Sequence, residues 1–158
     1  MISCCRIQTK IWRFTNSLEG GPSESDKNKM NTLDSEVLRW HKDIPTSLTF
    51  DASSEQYRPQ QGVSRGQQRL RVILYLRTNQ MRTLIYRPVL HSASTIMANR
   101  QLSQTGVDVA LDTIRVLTRL NETTDIYSTQ HVWYDHSRAY PLILCTSTLT
   151  FSLASTTS

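Results

Sequence analysis

From Gln67 to Arg87 neither glycine nor proline occurs, and Leu70, Ile73, Leu74, Met81, Leu84 and Ile85 fall within one broad arc of a helical wheel. A stretch of that length with a repeat near 3.6 residues is a helix, and its apolar stripe must be covered by other elements. At Arg87-Pro88 the run stops or bends sharply, because proline lacks the amide hydrogen and its ring clashes with the preceding turn. One residue breaks the arc. Arg77 projects into it, either with its aliphatic stem on the core and its guanidinium in water, or buried against a carboxylate or helix-end carbonyls.

Other segments repeat the pattern. Ile7, Ile11, Phe14 and Leu18 recur at steps of four, three and four, and Gly20-Gly21-Pro22 closes that helix. Leu33, Val37, Leu38 and Ile44 suggest a second helix, with Thr32 as N-cap, Ser35 and Glu36 in the first turn, and an end at Ile44-Pro45. A short helix is expected from Ser92 to Arg100. After Thr105-Gly106 comes Val107, Ala110, Leu111, Ile114 and Leu117, a strongly amphipathic helix with an exit at Asn121. The segment from Ile126 to Ala154 carries Tyr127, Trp133, Tyr134 and Tyr140, then an apolar run that Pro141 kinks or restarts.

No alternating strand pattern accompanies these helices, so the expected fold is all-α: an irregular array of four to five amphipathic helices. The division that follows is an N-terminal helix over 1–22, a polar linker over 23–31, a helical domain over 32–151 with a flexible loop at 46–66, and a Ser/Thr-rich tail at 152–158. The final apolar run ends abruptly, which suggests a piece of a larger helical domain.

Composition narrows the chemistry. The chain of 158 residues has 18 basic and 13 acidic residues, and between Glu55 and Asp108 it has no acid but eight arginines. The five from Arg69 to Arg87 scatter around the wheel, whereas a nucleic-acid surface gathers its cations on one face. Three cysteines, Cys4, Cys5 and Cys145, form no C-x-x-C and no even set, so neither a zinc site nor a disulfide framework is expected. The most apolar stretch, Tyr140 to Ala154, is shorter than the ~18–20 residues of a membrane span, so no membrane partner is expected.

Catalytic signals are weak. His131, Asp135 and His136 form the one cluster resembling a metal site, but on a helix His136 is turned about 100° from the other two. Asp34 and Glu36 near Trp40 could serve as paired acids, although at a helix start the macrodipole explains them better. No phosphate loop, G-x-S-x-G or H-E-x-x-H is present. No catalytic, cofactor-binding or metal-binding residue is therefore assigned, and no enzymatic activity is expected. A small helical enzyme using an unrecognised His/Asp site is the alternative from another class, and a non-functional truncated gene product is a third reading.

Two stretches resemble a known family. Leu33 to Pro45, with Trp40 followed by Ile44-Pro45, and Leu76 to Leu90, with the long helix entering Arg87-Pro88-Val89-Leu90, are similar to the fungal-specific transcription factor domain, the middle homology region of zinc-cluster factors. The helix from Val107 to Leu117 and the aromatic segment from Trp133 follow the family's order of elements. The resemblance implies a nuclear regulatory region whose partners are other domains of a transcription factor or transcriptional co-regulators, in some members with a small-molecule effector. In that family a separate six-cysteine zinc cluster binds DNA; its spacing is missing here, so no direct DNA binding is expected of this chain. Arg87 and Pro88 are expected to terminate the helix and satisfy its last carbonyls, with ligand contact as the other role. Trp40 and Trp133 are expected to be core or interface anchors.

Overall fold

A computed structural model describes residues 2–18, 22–52 and 62–123. All regular structure among them is helical: α1 (Ile2–Asn16), α2 (Glu24–Lys42), α3 (Arg65–Tyr86), α4 (Ala93–Ala98) and α5 (Arg100–Thr123), with 3-10 turns at Thr46–Leu48 and Arg87–Leu90. The segment from Ile126 onward, including Trp133 and the His131-Asp135-His136 cluster, lies outside the described residues.

Helix α3 is the axis. α2 packs antiparallel to it on one side and α5 antiparallel on another, while α1 lies across α2 and α3. Ile7, Ile11 and Phe14 of α1 are buried as the periodicity predicts, joining Met30, Leu33 and Val37 of α2 and Met81 and Ile85 of α3 in one cluster. A second cluster fills the other end of α3, where Phe50, Val72 and Leu76 meet Val116, Leu117 and Leu120.

The structure corrects the expected boundaries. Residues from Glu24 onward, read as a linker over 23–31, form the first two turns of α2. Ser23 caps them: its hydroxyl accepts from the Asp26 amide, and the Asp26 carboxylate accepts from the Ser23 amide. Pairs Glu24–Lys27 (3.0 Å) and Asp26–Lys29 (3.3 Å) lie along the exposed side, and Met30 is fully buried. Thr32 is therefore mid-helix, its hydroxyl donating to the Asn28 carbonyl.

Nor is the loop at 46–66 structureless where it is described. It holds the Thr46–Leu48 turn, and the Ser47 carbonyl accepts from Arg71 Nε (2.8 Å) and Gln67 Nε2 (3.1 Å), which fixes the loop to α3. Gly62 has φ 87°, a left-handed conformation natural to glycine, and Ser64 then caps α3 through the Gln67 amide.

Two buried faces match their apolar stripes only in part, with Met81, Ile85, Ala110 and Leu117 buried as expected. In α3, Leu70 and Ile73 are exposed, while Gln68, Val72, Leu76, Asn79 and Thr83 are buried. The reason is that α3 has neighbours on several sides, so its face toward α5 holds polar residues that count against burial in a sequence pattern. In α5, which begins at Arg100 and not after Gly106, the buried line is Ser103, Gly106, Ala110, Thr113 and Leu117, and Leu111 is exposed. Small residues lead that line because α5 closes tightly on the end of α3. A Cβ at Gly106 would come within 2.9 Å of Tyr86 Cβ and Leu90 Cδ1.

Candidate functional site

The interior holds polar side chains that must find partners there, since an unpaired buried polar group costs about 1–3 kcal/mol. Three clamps between helices meet that demand for most of them, whereas Thr83 Oγ1 and Ser103 Oγ are buried without a hydrogen-bond partner. The first joins α2 to α3: Arg82 Nε and Nη2 donate to the two oxygens of Asp34 at 2.7 and 3.1 Å. This is the bidentate geometry that arginine's planar fork favours. The Tyr86 hydroxyl lies beside the same carboxylate, and burial, with that negative charge second, pushes its pKa up to about 12.

The second clamp joins α3 to α5. Tyr75 Oη and Asn79 Nδ2 both donate to Asp112 Oδ2 at 2.7 Å. The Tyr75 ring meets Phe50 edge-on at 5.3 Å and His41 at 6.0 Å. The third clamp is His41 Nδ1 with Thr78 Oγ1 at 2.9 Å. Because the Thr78 hydroxyl donates to the Leu74 carbonyl, Nδ1 carries the proton that it shares with Thr78. Burial lowers the His41 pKa, and the Arg82 charge lowers it further.

These residues were largely missed in the sequence. Asp34 and Glu36 are not paired acids at a helix start: both lie in the middle of α2, where Asp34 faces Arg82 and Glu36 faces outward to Lys10 at 2.8 Å. A signal existed for Asp34, which shares the stripe of Met30 and Val37.

Of the residues to which the sequence points, Trp40 is half-buried against the larger apolar cluster. Arg77 is also half-buried; its Nη1 donates to Gln80 Oε1 at 2.9 Å, and its guanidinium sits by Cys4. There burial pushes the Cys4 thiol up, against the pull of that positive charge. Arg87 is exposed at the end of α3, and its amide donates to the Thr83 carbonyl. Pro88 occupies the first turn of the 3-10 segment, where its missing amide hydrogen leaves no bond unmade. Arg77 and Arg87-Pro88 lie almost three turns apart along α3.

A cleft of about 390 Å³ opens at the C-terminal end of α3. One wall is the α2 stripe Glu24, Lys27, Asn28 and Asn31; the other is the α4–α5 junction with Asn99, Arg100, Gln101 and Thr105; Tyr86 also lines it. Its lining is mainly polar, and Arg100 has no carboxylate partner among the described residues. No group of three or more His, Cys, Asp or Glu able to hold a metal occurs among the described residues, and none of their helices is long and apolar enough to cross a membrane. Comparison with protein families, curated proteins and solved structures finds no match for this chain.

Proposed function

We propose that this chain is a regulatory helical module of the fungal-specific transcription factor type, acting in the nucleus through contact with other domains of a larger factor or with transcriptional co-regulators, and not binding DNA by itself. The observation that carries this reading is the outer stripe of α3. Leu70, Ile73, Arg77, Met81 and Leu84 follow one another at helical spacing, and α1 covers that stripe only from Arg77 onward, with Cys4 in its first turns over Arg77. Leu70 (41% exposed) and Ile73 (39%) extend the same ridge uncovered. An apolar helix face that continues past its cover suits a further helix packed beside α1. The order of elements supports the same reading: α2 ends two residues after Trp40, α3 ends at the Arg87-Pro88 step, and a long amphipathic α5 follows.

The test is a reporter assay in a fungal host, with the chain fused to an unrelated DNA-binding domain. The fusion is expected to change reporter output, and Leu70→Glu with Ile73→Glu, both at exposed positions, is expected to remove most of that change while leaving the helical circular dichroism intact. Output identical to that of the bare DNA-binding domain, at equal protein level, would overturn the proposal. So would a double variant as active as the parent.

A further inference from the structure

We infer that the cleft between α2 and the α4–α5 junction binds a small polyhydroxylated anion, a sugar-sized molecule carrying a phosphate or a carboxylate. Its size is right: about 390 Å³ lies toward the small end of the roughly 300–1,000 Å³ typical of small-molecule sites. Its chemistry selects the class. Asn28, Asn31 and Asn99 place carboxamides on both walls, and each carboxamide can donate to and accept from a hydroxyl. Asn99 Nδ2 donates to the Thr95 carbonyl at 2.8 Å, which holds its carboxamide in place on the wall.

The charge comes from two cations. The Arg100 guanidinium offers a planar fork suited to the paired oxygens of a phosphate or carboxylate, and its contact in the structure is a long one, 3.9 Å to Met97 Sδ. Lys27 faces the same space and is held at 3.0 Å by Glu24, whose side chain is 80% exposed. Such an exposed pair holds with about 0.2–1 kcal/mol, little enough for an anion to compete for the ammonium. Glu24 is the one carboxylate on the cleft's lining, and it is engaged with Lys27, while the stretch of sequence around Arg100 carries no acid. Tyr86 is 3% exposed, so it gives the cleft a rigid base and leaves the ligand to the walls.

This inference rests on the cleft and not on the transcriptional reading, and the two are measured separately. Calorimetry on the full chain with glucose 6-phosphate, fructose 6-phosphate and gluconate is expected to show millimolar or tighter binding by a phosphosugar, by gluconate or by both, and the pattern identifies the anion. Glucose and inorganic phosphate alone are expected to bind roughly tenfold more weakly, as is the anionic sugar to Arg100→Ala. Asn31→Ala is expected to weaken the anionic sugar while leaving inorganic phosphate unchanged. Arg100 and Asn31 are exposed, so thermal melting is expected to stay at the parent value. No heat from any of the three anionic sugars up to about 10 mM, equal affinity for phosphate alone, or undiminished binding by Arg100→Ala would each overturn it.

Discussion

Replacing Asp34 by asparagine leaves the Arg82 guanidinium between α2 and α3 without its counter-charge. Arg82 and Asp34 keep only 19% and 11% of their side-chain surface in water, so solvent cannot take over that role fully. Asp34→Asn is expected to cost about 3 kcal/mol in urea unfolding, near the lower end for breaking a buried pair. The double variant Asp34→Leu with Arg82→Met is expected to cost less than the sum of the two single changes, because no charge is then stranded. At this scale the pattern of residues is only partly informative. The burial of Asp34 follows from its spacing to Met30 and Val37, but its partner lies 48 positions away, across the long loop, and periodicity carries no such pairing. Gly106 is similar: it reads as a helix entrance, and only contact with Tyr86 and Leu90 reveals that the position forbids a side chain.

Between elements, Asp112 Oδ2 accepts from two donors of α3. Asp112→Ala removes both bonds and strands Asn79 Nδ2, and Asn79 is 6% exposed, so the loss is expected to be about 2–3 kcal/mol. Asp112→Asn retains one carbonyl acceptor and is expected to lose about half as much; chemical unfolding of both variants checks the ranking. The existence and type of the helices were legible because Ile7, Ile11 and Phe14, or Leu33 and Val37, repeat at a helical step over several turns. The start of α2 was misread because Ser25 to Lys29 is wholly polar. A cap residue with a carboxylate three positions on, Ser23 and Asp26, was the available signal. The stripes of α3 and α5 place Met81, Ile85, Ala110 and Leu117 in the interior, as observed, and miss at Leu70, Ile73 and Leu111 for a different reason. A helix enclosed on several sides must bury Thr78, Asn79 and Thr83, and counting apolar residues then points the stripe toward Leu70 and Ile73 instead. The cleft was not legible at all, since its walls come from α2 and α5 and neither carries a motif.

Across the whole molecule, the two apolar clusters lie at opposite ends of α3, with His41, Tyr75, Thr78, Asn79 and Asp112 between them. This polar belt makes stability depend on pH. The folded-state pKa of His41 is lowered by burial and by Arg82, so the unfolded chain binds the proton more readily. The contribution is present above the ordinary value of about 6.5 and is lost as pH falls through that value toward the lower folded one. Urea unfolding at pH 7.5 and pH 5.5 is expected to show a smaller acid loss for His41→Gln than for the parent chain. A loss of equal size in both would show that His41 does not set it.

The belt has a second effect. With the oily packing interrupted at mid-length, the two halves are not obliged to melt together. The end bearing Leu70 and Ile73 can loosen and re-form against a neighbour of slightly different shape while the Arg82 end stays shut.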